Sequence, residues 1–69
     1  MKYTYTTYNN IKLEIYSPES GSDLYCVFKN GVVMGKMYYD AGSSTWTTKY
    51  DNLKSVVREI GKLIDQPGT

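Results

Sequence analysis

Hydrophobic and polar positions alternate singly through much of the chain and change to a helical spacing near its end. From Ile11 to Tyr16, the apolar Ile11, Leu13 and Ile15 alternate with Lys12, Glu14 and Tyr16, the period of a strand with one buried face. Lys2 to Tyr8 is rich in Tyr and Thr, which favour strands, and Asn9-Asn10 joins the two segments. Asn tolerates positive φ, so this pair predicts a two-residue type I′ hairpin turn. Ser17 to Asp23 (SPESGSD) is a loop by composition. Leu24 to Lys29 and Val32 to Tyr39 flank Asn30-Gly31, the strongest short-range hairpin signal in the chain. Asp40-Ala41-Gly42-Ser43 reads as a further turn, and Ser44 to Thr48 as a short fifth strand carrying Trp46.

From Leu53 onwards the apolar positions are Leu53, Val56, Val57, Ile60, Leu63 and Ile64, spaced i, i+3, i+4, i+7. Lys54, Ser55, Arg58, Glu59, Lys62 and Asp65 occupy the other side, so an amphipathic helix is expected. Thr48 with Asp51 three residues on forms a weak capping box, with Asp51 itself as the alternative cap. Gly61 sits inside the stripe, where it costs about 1 kcal/mol relative to Ala, and Pro67 blocks continuation. The expected fold is therefore α+β: an antiparallel meander sheet of four or five strands followed by one C-terminal amphipathic helix packed on one face. Residues 1–66 form one domain, and 67–69 a frayed C-terminal tail.

Register follows from the turns, because a two-residue loop fixes which residues lie opposite each other. Asn30-Gly31 then places Phe28 opposite Val33, Cys26 opposite Gly35 and Leu24 opposite Met37, on the side expected under the helix. Val27, Met34, Tyr25 and Lys36 fall on the other side. The same rule at Asn9-Asn10 directs Ile11, Leu13 and Ile15 inward and Tyr3, Tyr5 and Tyr16 outward. Trp46 faces inward opposite Met37, as a core anchor, if Ala41-Gly42 closes a tight turn, and Gly35 marks a bulge or a close approach of the helix. The uncovered sheet face is thus expected to collect Tyr3, Tyr5, Lys12, Tyr16, Tyr25, Lys36 and Tyr38.

Composition sharpens this picture. Eight Tyr among 69 residues is an excess, and it falls mostly on the strands. A domain this small buries only about 60% of its unfolded surface, so partners or staples are often recruited. The net charge of +1 gives no electrostatic reason to expect a polyanion. With no His and one Cys, a zinc site would need mostly carboxylate ligands, the seven acids show no ligand-like clustering, and a His-assisted nucleophile cannot be assembled. No metal, cofactor, catalytic residue or small-molecule substrate is inferred, and the chain reads as non-enzymatic. Cys26 cannot form an internal disulfide and reads as a small buried hydrophobe of a cytoplasmic protein. Apolar runs are too short to span a bilayer, and Met1 to Tyr8 lacks the pattern of a signal peptide.

The expected function is a small interaction or regulatory module that binds a protein partner, or itself as a homodimer, through the Tyr-rich face. The alternative is single-stranded nucleic-acid binding by the same face, with bases stacked on Tyr and phosphates tracked by Lys. The plain competitor to both is a solvated sheet surface shaped by strand propensity.

Overall fold

A computed structural model of the chain describes residues 2–65. It shows five antiparallel strands in sequential order, β1 (Lys2–Thr6), β2 (Lys12–Tyr16), β3 (Tyr25–Lys29), β4 (Val32–Asp40) and β5 (Thr45–Thr47). A 3-10 turn (Asp51–Leu53) then leads into one helix, α1 (Val57–Asp65), which packs on one face of the curled sheet. The expected α+β meander is therefore the observed fold. The C-terminal tail expected at 67–69 lies outside the described residues.

The Asn30-Gly31 turn forms as its residues dictate. Lys29 pairs with Val32, and φ is 53° at Asn30 and 78° at Gly31, the two positive values a type I′ turn requires. A Cβ at Gly31 would meet nothing within 4 Å, so its importance is conformational alone. Gly31→Ala is expected to lower stability by about 1 kcal/mol in denaturant unfolding, with Gly31→Asn costing less.

The β1–β2 turn differs from expectation by one residue. Thr7 N donates to Ile11 O and Asn10 N donates to Thr7 O, so the loop is the three residues Tyr8, Asn9 and Asn10. Only Asn10 takes positive φ, at 63°, the pattern of a type I turn closed by a left-handed residue. The Thr7 hydroxyl accepts from the amides of Asn9 and Ile11 and ties the loop down. As a result Tyr5 pairs with Leu13 and Tyr3 with Ile15. One added loop residue turns every β1 side chain over, so Tyr3 and Tyr5 join the helix-covered face.

A second shift occurs between β3 and β4. Phe28 pairs with Val33 as expected, but Val27 pairs with Gly35, Cys26 with Lys36 and Tyr25 with Met37. A β-bulge accounts for it: Met34 is the extra residue, and its carbonyl accepts from Asn52 Nδ2 at 2.9 Å. Val27 and Tyr25 therefore face the core, whereas Leu24, Cys26 and Phe28 border the open side. This reverses the side expected for each of the five. Met34, expected outside, packs against the core.

The core is Leu13, Ile15, Val27, Met37, Leu53, Val57 and Ile60, with Tyr3, Tyr5, Tyr25 and Trp46 around it. Trp46 does face inward, but opposite Tyr39, because the β4–β5 loop contains four residues from Ala41 to Ser44. Asp40 organises that loop, accepting from Gly42 N at 3.0 Å and Ser43 Oγ at 3.1 Å.

The α-helix begins later than the periodicity implies. Leu53 lies in the 3-10 turn, fully buried over Gly35, where a Cβ would come within 2.9 Å of its Cδ1 and 2.7 Å of Tyr50 Cγ. The tight i→i+3 bonds Lys54 N to Asp51 O and Val56 N to Leu53 O carry the chain from this contact into α1. Neither expected cap forms: Tyr50 precedes the 3-10 turn without a side-chain cap bond, and Thr48 bonds elsewhere.

Candidate functional site

The sheet face opposite the helix carries no covering helix or second sheet among the described residues. Pairing arranges it in rows. Thr4, Glu14, Phe28 and Val33 form one, and Lys2, Tyr16, Cys26 and Lys36 the next. Tyr16 and Phe28 meet edge to face on adjacent strands, ring centroids 5.3 Å apart. Tyr16 is 42% exposed and Val33 54%, whereas Phe28 and Cys26 are half-buried. The centre of the open face is thus apolar, and Leu24 adds to it from the loop that precedes β3.

Charge lies around this centre. Glu14 accepts from Lys2 Nζ at 3.0 Å, a diagonal pair that raises the Lys2 ammonium pKa by hydrogen bonding and then by Coulomb attraction. Lys36 stands across β3 from Glu14 and one row away. Glu14, Tyr16, Glu19, Leu24, Phe28 and Lys36 are among the residues that border a shallow cleft of about 560 Å³ on this side.

The residues expected on one face are divided between two. Tyr16, Lys36, Tyr38 and Lys12 remain on the open side, as strand alternation and the observed pairs require. Tyr3, Tyr5 and Tyr25 pack against the core from the helix side. Phe28, Cys26 and Val33 take their places. The signal that could have found them is size: Tyr3 and Tyr5 alternate with Thr4 and Thr6, and burying the larger ring removes more apolar surface from water. Cys26, expected as a buried core thiol, instead stands half-buried on the open face beside Tyr16.

On the helix side, Tyr3, Tyr25, Tyr39 and Trp46 gather where α1 ends. Trp46 meets Tyr25 at 5.3 Å and Tyr39 at 5.6 Å, both edge to face, and Trp46 Nε1 donates to Asp65 Oδ2 at 2.9 Å. Burial raises the Tyr25 phenol above its ordinary 10.0, with lesser contributions from Tyr3 and Asp65.

Among the described residues no group of His, Cys, Asp and Glu could hold a metal ion, and no helix is long and apolar enough to cross a membrane. No family model, curated protein or solved structure matches the chain.

Proposed function

We propose that this protein is a small, non-enzymatic interaction module of the cytoplasm that pairs with a second copy of itself through the open sheet face. The observation that carries this reading is the apolar centre formed by Tyr16, Phe28, Cys26 and Val33, with an acid and a base on opposite flanks. Glu14 is level with Phe28 on β2, and Lys36 is level with Cys26 on β4. The point midway between them lies over β3, between Cys26 and Phe28. A two-fold axis through that point places each copy's Glu14 over the other's Lys36 and lays the two apolar centres together. A chain of this length gains by such pairing, since its own core is small.

Sedimentation across a concentration series tests the proposal. A mass of twice 7.9 kDa is expected for the parent chain, and a monomer for Phe28→Glu. Lys36→Glu is expected to weaken the dimer, and the exchange Glu14→Lys with Lys36→Glu to restore it, because only the paired reversal returns opposite charges to contact. A short bismaleimide should cross-link the parent chain through Cys26, near the axis, and fail with Cys26→Ser. A monomer at every concentration overturns self-association. If that monomer also binds a mixed single-stranded oligonucleotide in a salt-sensitive way, with NMR shifts at Lys12, Tyr16, Phe28 and Lys36, the nucleic-acid reading replaces it.

A further inference from the structure

On the helix side of the sheet, a cleft of about 670 Å³ opens beside Ile64 and Asp65 of α1, away from the proposed pairing face. Its lining joins four aromatic rings, Tyr3, Tyr25, Tyr39 and Trp46, to two carboxylates, Asp23 and Asp65. No lysine or arginine lines it among the described residues. From this combination we infer that the cleft is a binding site for an alkylated ammonium group, such as a quaternary amine or a methylated lysine side chain.

The physical case rests on two attractions that act on one kind of ligand. Aromatic rings offer apolar contact to methyl groups and a negative quadrupole to the charge those groups carry. Trp and Tyr are the rings best suited to this, and Trp46 packs edge to face with both Tyr25 (76°) and Tyr39 (69°), so the three rings form one continuous aromatic wall. Carboxylates at the rim supply a formal counter-charge. Asp65 is fixed there through Trp46 Nε1 and Oδ2 at 2.9 Å, and Asp23 stands in the loop before β3. After burial and Tyr3, Asp65 is the least of the three contributions that raise the Tyr25 phenol pKa. A neutral ligand of the same shape receives only the apolar part of this attraction. A ligand anion meets two carboxylates and no cation.

The sequence prepares the site in a simple way. Tyr3, Tyr25 and Tyr39 belong to β1, β3 and β4, and all lie on the helix-covered side. Ile64 and Asp65 of α1 reach this end of the sheet and border the rings. Tyr39 is 45% exposed, which a ring serving only as core would not need to be.

Trp46 is the only tryptophan, so its fluorescence reports directly on the cleft. Choline is expected to change that emission along a saturating curve, and its neutral isostere 3,3-dimethylbutan-1-ol to bind about tenfold more weakly. A peptide with trimethyllysine, compared with the same peptide carrying unmodified lysine, separates a protein-borne ammonium from a free one. Asp65→Asn keeps a carbonyl to accept from Trp46 Nε1 and removes the charge, so it should weaken choline severalfold and leave the isostere unchanged. Tyr39→Leu, at an exposed position, should weaken choline while circular dichroism reports an intact fold. Equal binding of choline and the isostere, or no saturable response to choline or to the trimethyllysine peptide, overturns the inference. Because the cleft lies across the sheet from the pairing face, Phe28→Glu should bind choline as the parent chain does.

Discussion

Gly61→Ala is expected to destabilise the domain by about 2 kcal/mol, the opposite sign to the gain of about 1 kcal/mol that helix propensity gives for removing a mid-helix glycine. The reason is the Trp46 ring. A Cβ at Gly61 would overlap Trp46 Cδ1 and Cγ and come within 2.9 Å of Trp46 Cβ, and none of these is the free end of a flexible chain. Trp46 has little room to yield, because Tyr25 and Tyr39 flank it and its Nε1 is bound to Asp65. Either α1 lifts from the sheet or the indole leaves its rotamer, and both disturb Ile60, which is fully buried one residue away. Urea unfolding would measure the loss. A cycle with Trp46→Leu identifies its origin: in that background the alanine should cost much less, giving a coupling well above the few tenths of a kcal/mol seen between independent sites. A stabilising Gly61→Ala in the parent chain would mean that the indole does not rest on the helix backbone.

Gly61 also shows how much of this fold could be read from the chain. The interruption of the helical stripe was visible, and so was its cost, but its purpose needed the position of Trp46. The same holds for Gly35, where close packing was legible and the partners, Tyr50 and Leu53, were not. The strand segments and the Asn30-Gly31 turn were legible because each rests on local chemistry: period-2 alternation and two residues that accept positive φ. Register between strands was not, since it depends on counting to a single residue. Asn10 in a left-handed conformation suits a two-residue type I′ loop and equally the last position of a three-residue loop. The bulge at Met34 has one local marker, the adjacent Gly35, which suits a bulge and a close approach alike and does not say which residue is extra. It is set by Val27 and Gly35 coming into register under Tyr50 and Leu53, a tertiary requirement.

These two one-residue shifts redistribute the candidate chemistry. In the expected register one face would hold Tyr3, Tyr5, Tyr16, Tyr25 and Tyr38, a broad stacking platform. The observed register leaves Tyr16 and Tyr38 there with Phe28, Cys26 and Val33, moves Tyr3 and Tyr25 toward Trp46, and places Tyr5 beside Met34 and Val56. Fewer rings and more aliphatic surface favour an apolar protein contact over base stacking on the open face. Two of the displaced tyrosines, Tyr3 and Tyr25, join Tyr39 and Trp46 in the aromatic cleft on the opposite side. A Tyr excess that reads as one surface in sequence thus serves two surfaces in the fold.

Thr48→Val is expected to cost about 3 kcal/mol, although it replaces the side chain by one of nearly the same shape. Thr48 is the one buried polar residue among those described, 7% exposed, at the junction of β5 and the 3-10 turn. Its hydroxyl donates to the Lys36 carbonyl on β4 and accepts from Tyr50 N at 3.1 Å. One group therefore bonds a strand acceptor and a turn donor at once, and it fixes where the chain leaves the sheet. Tyr50 depends on that exit, because its ring must lie against Gly35 before Leu53 can enter the core. Valine leaves both backbone groups without the hydroxyl, and each buried unpaired group costs about 1–3 kcal/mol. Thr48→Ser keeps both bonds and loses one methyl, so its cost should stay near 1 kcal/mol. Amide hydrogen exchange separates the mechanisms further: Tyr50 N–H should exchange faster in the valine variant and remain protected in the serine variant. A valine variant as stable as the parent, with the serine variant the less stable of the two, would show that packing of the methyl group, rather than the hydroxyl, holds the helix connection to the sheet.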